Sequence, residues 1–225
     1  MSSDVSEHPA IELVFVRHGE TVWNLENRIQ GHQDSPLTVK GIAQAETLAR
    51  RLSGERFDVL FSSDLGRAMH TAEIIGQTIH LKPSADSRLR ERNLGIFQGY
   101  TYTEMQTRFP EEFAHFETWN PAWHIPEGES GEDLKERVSA FLAELNQRIP
   151  GGSRLCIVTH GGLLDILMRL ALGLPLDIPR TFSLFNGSLN RFSLCGSRLR
   201  LLTWGDISHL AAVSGDDPTY AVKSL

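Results

Sequence analysis

Two apolar runs, residues 11–16 (IELVFV) and 155–158 (LCIV), each lead into a histidine followed by glycine: Arg17-His18-Gly19 and Thr159-His160-Gly161-Gly162. Near-continuous apolar runs of this length, rich in β-branched residues, read as strands buried on both faces. Such strands belong to parallel sheets with helices above and below. A third short strand over residues 58–61 runs into Ser62-Ser63-Asp64-Leu65-Gly66-Arg67. In a parallel sheet all three junctions lie on one edge, so groups 142 residues apart, His18 and His160, can converge. That edge, beyond the carboxyl ends of the strands, is where ligands collect in open α/β sheets.

The segments between these strands have helical periodicity. Pro36-Leu37-Thr38 opens a helix with Thr38 as N-cap, and Ile42, Ala45, Leu48, Ala49 and Leu52 share one face. Asp64 is the expected cap of a helix over 65–79, with Ala68, Ala72, Ile75 and Ile79 inward. Residues 130–148 place Leu134, Val138, Phe141, Leu142 and Leu145 on one stripe behind a Ser130/Asp133 capping box, and Pro150-Gly151-Gly152 stops them. A further helix is expected over 163–172, closed by Gly173, and paired strands over 189–194 and 199–204 around a Gly196-Ser197 turn. The expected fold is α/β: a three-layer α/β/α arrangement around a mainly parallel sheet.

Residues 97–126 interrupt this alternation. They hold Phe97, Tyr100, Tyr102, Phe109, Phe113, Phe116, Trp119 and Trp123, which is 8 of the chain's 18 aromatics, punctuated by Pro110, Pro121 and Pro126. The expectation is an inserted helical and aromatic cap, either a satellite hydrophobic cluster, a specificity-setting cover over the site, or both. Residues 1–10 read as a disordered lead-in, 11–210 as one domain, and 211–225 as a C-terminal tail.

A formal net charge of −6 argues against nucleic acid as a partner and requires any anionic substrate to be held by local arginines. Cys156 and Cys195 read as buried thiols without metal-ligand spacing. No run approaches the ~18 apolar residues of a membrane span, and the polar N-terminus carries no secretory pattern. The expectation is a cytoplasmic protein, monomer or homodimer, without a membrane partner.

The residues at the shared edge suggest phosphoryl transfer. Arg17 can grip two phosphate oxygens with its planar fork, Gly19 lets backbone N–H groups approach an anion, and His18 is a nucleophile that is largely uncharged near neutrality. Arg67 and a second strand-end His-Gly at His160 are hard to explain by packing alone. His32, His70, His80 and His115 read as surface or helix-face histidines, and Trp23 as a packing residue.

The segments VRHGETVWNLENRIQGHQDSPLT, SSDLGRAMHTAEII, LRERNLGIFQG, PEGESGEDLKERV and VTHGGLLDIL resemble the histidine phosphatase superfamily. The branch is that of cofactor-dependent phosphoglycerate mutases and related small-molecule phosphatases. They occur in the family's order, and the closing GDISHL is similar to bacterial members. The resemblance implies that His18 accepts the phosphoryl group and that Arg17, Arg67 and His160 complete the catalytic phosphate-binding core. It also implies that Glu91 protonates the leaving group and that Asn24 and Gly161 add substrate contacts. A dianionic ester can be neutralised by arginines and donors without a metal, and a glutamate beside that dianion can hold a proton for the alkoxide. A phosphohistidine intermediate divides one displacement into two. No cofactor is implied for hydrolysis.

The same core runs mutases, which need a bisphosphoglycerate primer and hold a substrate carboxylate. The resemblance places a lysine and an arginine pair for that purpose after the glutamate motif. Here residues 100–126 offer Arg108 as their one cation, beside Glu104, Glu111, Glu112 and Glu117. The expectation is a phosphatase of small phosphorylated metabolites, metal-independent and with an apolar or hydroxylated leaving group. The alternatives are a mutase and, from another class, a non-catalytic phospholigand binder.

Overall fold

Alternation along the first strand builds the core. The computed structural model describes residues 9–214. In β1 (Ile11–Arg17), Ile11, Leu13 and Phe15 face one side of the sheet and Val14 and Val16 the other. The first set joins the core formed with α6 (Gly131–Arg148) and α7 (Gly161–Leu172). The second packs against α2 (Val39–Leu52) and α3 (Gly66–Ile79). Both sets are buried, so the strand has no solvent face and the three-layer α/β/α architecture follows.

The other strands are β2 (Val59–Ser62), β3 (Ser84–Ala85), β4 (Arg154–Thr159), β5 (Leu189–Cys195) and β6 (Arg198–Asp206). Their order is β3-β2-β4-β1-β5-β6. The pairs β3–β2, β2–β4 and β4–β1 are parallel, and β5 adds antiparallel to β1, followed by β6. At the edge opposite His18, Glu12 bridges Arg154 and Arg191 at 2.6 and 3.0 Å, and Arg191 also meets Glu55 at 2.6 Å.

Local signals act as physics requires in most elements. Thr38 caps α2 through the Gly41 N–H, and Ser130 and Asp133 exchange both bonds of the capping box on α6. Gly173 ends α7 in the left-handed conformation that glycine adopts without steric cost (φ 66°). Three expectations need correction. Asp64 does not cap α3, whose N-cap is Leu65 with no side-chain bond; the Asp64 carboxylate instead forms a two-pronged pair with Arg90 at 2.7 and 2.6 Å. The fourth-strand helix begins at Gly161 rather than Leu163, because extended His160 already occupies the N-cap position. Cys156 is buried, but Cys195 lies exposed at the end of β5, beside the hairpin turn.

The insertion between α3 and α6 contains α4 (Tyr102–Arg108) and α5 (Pro110–Phe116). Its aromatics pack mainly on one another: Phe97 meets Phe109 and Phe116 with ring centroids 6.1 and 5.4 Å apart, and Tyr102 meets Phe113 at 6.1 Å. With Met105 and Ile125 they form a separate satellite core. Phe116 therefore supports the cap from within. The single-turn α1 (Val22–Leu25) and the closing α8 (Ala211–Ser214) complete the described elements. Residues 1–8 of the lead-in and 215–225 of the tail lie outside the described residues.

Phe192 on β5 meets Phe15 edge to face at 5.8 Å and is fully buried. Phe192→Ala should lower unfolding free energy by about 3–5 kcal/mol through lost transfer energy and a residual cavity. Denaturant titration measures this, and a loss below about 1 kcal/mol would show that the site collapses around the deletion.

Candidate active site

Adjacent parallel strands set the two histidines side by side. In the β1–β4 ladder Arg17 pairs with Thr159, so each strand releases its histidine at the following residue. The His18 N–H bonds to the Thr159 carbonyl at 3.0 Å. The imidazoles sit with centroids 5.1 Å apart, tilted by 58°. Both are buried.

A single hydrogen bond fixes the His18 tautomer. Nδ1 lies 2.8 Å from the Gly19 carbonyl oxygen, which can only accept. The proton therefore sits on Nδ1, and Nε2 presents its lone pair. Burial, followed by the charges of Arg67 and Arg17, pushes the His18 pKa well below the ordinary histidine value. His160 is driven the same way by burial and by Arg67, then His18 and Arg17, and its Nε2 is 2.8 Å from the Ser63 hydroxyl. Ser63 follows β2, so the third junction meets the other two as the topology requires.

The two arginines are held by backbone oxygens. Arg67 is 2% exposed; Nη1 donates to the Gln33 carbonyl (2.8 Å) and Asp34 (3.0 Å), and Nη2 to the Gly31 carbonyl (2.8 Å). Arg17 donates from Nη1 to the Leu184 carbonyl. Burial pushes the Arg17 pKa down to about 10, against the opposing pull of Glu91, and Arg180 and Arg67 lower it further. Three buried nitrogens at this edge have no hydrogen-bond partner among the described residues: Arg17 Nε, Arg67 Nε and His160 Nδ1. Buried polar atoms are paired in the great majority of cases, and a cluster of orphans beside one nucleophile suits an anion. The Gln30 Oε1 is also buried and unpaired.

Glu91 is anchored at the start of α7. Both carboxylate oxygens accept from the Gly162 N–H, at 2.9 and 3.0 Å, and Oε1 also accepts from the Arg92 N–H at 2.9 Å. A Cβ on Gly162 would collide with Oε1, which explains the second glycine of His160-Gly161-Gly162. Gly161 lies beside Arg17 and Leu184, and a Cβ there would make ordinary contacts of 3.5–3.6 Å with both. Asn24 closes the capping box of α1, its Oδ1 accepting from the Thr21 N–H at 3.1 Å. Asn186 Nδ2 approaches the same oxygen at 3.3 Å and donates to the His18 carbonyl at 3.0 Å.

Several supporting residues had no legible signal in sequence. His32, expected to be a surface histidine, donates from Nε2 to the Glu91 carbonyl at 2.9 Å. Arg137 on α6 donates to the carbonyls of Arg88, Arg90 and Glu91 at 2.8, 2.9 and 3.1 Å, and pairs with Glu129 at 2.8 Å. These bonds connect segments far apart in the chain, so no local spacing announces them. His124 bridges Asp133 at 2.8 Å and His209 reaches the Gly187 carbonyl at 3.0 Å. Among the described residues no group of three or more His, Cys, Asp or Glu side chains is placed to hold a metal ion. Among the same residues no helix is long and apolar enough to cross a membrane.

The family model of the histidine phosphatase superfamily, branch 1, matches residues 13–207. The chain belongs to this family. An Escherichia coli O1:K1 relative named "Probable phosphoglycerate mutase GpmB" is 40% identical over 212 residues, covering 92% of this chain and 98% of its own. Among solved structures, Bacillus stearothermophilus YhfR superposes with a TM-score of 0.81 at 34% identity, over 89% of this chain and all of its own. A mycobacterial glucosyl-3-phosphoglycerate phosphatase gives 0.77 at 33% identity, covering 87% and 99%. Relatives of this member of the histidine phosphatase superfamily thus carry both mutase and phosphatase names.

The lowered histidine pKa values have a checkable consequence. In the ligand-free protein, NMR titration should find His18 and His160 neutral at pH ~6.5, the value at which unperturbed histidine is half-protonated. The unfolded chain takes up these protons near pH ~6.5 and the folded form does not, so both groups subtract stability as pH falls through that value. Titration of either imidazole above about 7 would contradict the burial argument.

Proposed function

We propose that the chain is a metal-independent phosphomonoesterase acting on small phosphorylated metabolites through phosphohistidine at His18. The observation that carries this reading is the tautomer of His18: Nδ1–H is committed to the Gly19 carbonyl, so Nε2 is a fixed lone pair among orphaned cationic donors. A phospholigand binder has no need of such a nucleophile.

In this mechanism Arg17, Arg67 and His160 hold the equatorial phosphoryl oxygens, with the Asn24 amide adding a contact. They neutralise charge that must be compensated during in-line transfer. His18 Nε2 attacks phosphorus as the ester oxygen departs, and Glu91 delivers a proton to that oxygen. Water then attacks the phosphohistidine with Glu91 accepting its proton, which releases inorganic phosphate and restores His18. Arginines preorganised by backbone carbonyls supply the charge stabilisation without a cofactor. Residues 100–126 support hydrolysis over isomerisation, since their one cation, Arg108, lies over the Tyr100 ring at 4.9 Å. The likeness to GpmB supports the second reading, a mutase primed by bisphosphoglycerate.

In chelator-treated buffer the protein should release phosphate from p-nitrophenyl phosphate, and His18→Ala should remove this release while far-UV circular dichroism is unchanged. Residual activity above about a tenth of wild type in a folded variant would exclude His18 as nucleophile. With 3-phosphoglycerate and a bisphosphoglycerate primer, isomerisation exceeding phosphate release about 10-fold would replace the phosphatase reading by the mutase.

Glu91→Gln separates proton donation from positioning. It should slow alkyl phosphates, whose alkoxides need a proton, at least about 10-fold more than aryl phosphates with activated leaving groups. Equal losses on the two classes would restrict Glu91 to a structural role.

A further inference from the structure

We propose that Ser63 is a positioning residue of the phosphate site: its hydroxyl donates to His160 Nε2 and so fixes the proton of that imidazole on Nδ1. His160 then meets a phosphoryl oxygen as a neutral hydrogen-bond donor. This rests on the phosphate-binding reading of Arg17, Arg67 and His160, and deepens it by assigning the tautomer in which His160 takes the ligand.

Parallel pairing of β2 with β4 brings the two side chains together. The register sets Ser62 opposite Val158, and the Ser63 N–H bonds to the Val158 carbonyl at 3.0 Å. Ser63 thus leaves β2 beside the point where β4 releases Thr159 and His160. Both Ser63 and His160 are fully buried. In such a place a hydroxyl proton without an acceptor is costly.

The hydrogen bonds of Ser63 set the direction of the contact. A hydroxyl carries one proton and accepts through its lone pairs. The Leu65 N–H donates to Ser63 Oγ at 3.3 Å, which occupies a lone pair. Among the described residues the acceptor within reach of the Ser63 proton is His160 Nε2, at 2.8 Å. The neighbouring Ser62 hydroxyl is committed elsewhere, donating to the Ser63 carbonyl at 2.8 Å. The reverse arrangement, with Nε2–H donating to Oγ, would strand the serine proton in the interior.

A proton on Nδ1 completes the anion cradle. His160 Nδ1 is buried with no hydrogen-bond partner among the described residues, as are Arg17 Nε and Arg67 Nε. The imidazole centroid lies 5.1 Å from that of His18, and Arg17 Nε is 3.6 Å from where a Cβ on the adjacent Gly161 would stand. A lone pair on Nδ1 would repel a phosphoryl oxygen here, whereas an N–H attracts it. Burial, followed by the charge of Arg67, favours the neutral ring. Only one nitrogen of a neutral imidazole can donate, and the bond made by the other selects it.

Long-range proton–nitrogen NMR on nitrogen-labelled histidine reads the tautomer in the wild-type protein, with His160→Ala identifying the resonances. His160 should show a protonated Nδ1 and a bare Nε2; a protonated Nε2 would overturn the proposal. This measurement needs no change at Ser63, so it decides the matter even if Ser63→Ala does not fold. Calorimetry with inorganic phosphate reads the consequence. Ser63→Ala should weaken phosphate binding at least about 10-fold, the factor expected of one hydrogen bond to a charged group. In the His160→Ala background the same change should alter affinity less than about twofold, because a residue acting through His160 then has nothing to orient. Equal losses in both backgrounds would make Ser63 merely structural and overturn the proposal. Unchanged affinity in Ser63→Ala, or failure of phosphate to bind wild type, would overturn it as well. Failure of the phosphatase reading has a different signature: the tautomer and the phosphate affinities are as stated, yet p-nitrophenyl phosphate is not hydrolysed.

Discussion

The parallel pairing of β1 with β4 is the constraint from which the site follows. Its register places Arg17 opposite Thr159, so His18 and His160 leave the sheet side by side. Side chains of β1 are buried on alternate faces by α6 and α7 or by α2 and α3. A slip of one residue would exchange those two sets and separate the histidines. Packing energy in the core therefore holds the spacing of the two histidines, and the candidate site inherits its rigidity from hydrophobic burial.

Burying two guanidinium groups is costly unless their donors are satisfied. Arg67 is offset by the carbonyls of Gly31 and Gln33 and by Asp34, and Arg17 by the carbonyl of Leu184. Among the buried atoms without a hydrogen-bond partner in the described residues are Nε of each arginine and His160 Nδ1. The loops are thus shaped to leave a small, directed deficit of negative charge. Burial, followed by the charges of Arg67 and Arg17, lowers the His18 pKa and so favours the uncharged imidazole.

Glu91 is placed by opposition of backbone and side-chain contacts. Its carboxylate rests on the Gly162 N–H, while its carbonyl is drawn by His32 and Arg137. Thr159 reaches the Leu89 carbonyl at 2.8 Å and ties the same segment to β4. The cap joins this frame through the pairing of Ile29 with Gly99 and Tyr100, next to the carbonyls that hold Arg67. Changes in the cap can therefore reach Arg67 through one short stretch of backbone.

The sequence by itself determined the strands at 11–16 and 155–158, the amphipathic faces of α2, α3 and α6, and the convergence of Arg17, His18, Arg67 and His160. Each rests on local periodicity or on motifs one residue beyond a buried strand, and parallel topology supplies the rest. The tertiary structure alone decided the tautomer of His18, the Gly162 seat of Glu91, and the contacts of His32 and Arg137 with the Glu91 carbonyl. It also removed Asp64 from the helix cap, because Arg90, distant in sequence, offers its carboxylate a two-pronged partner. Local propensity depends on neighbours within a turn or two. These pairings depend on loops brought together only after the sheet has formed, and their energies are carried by contacts that no spacing along the chain records.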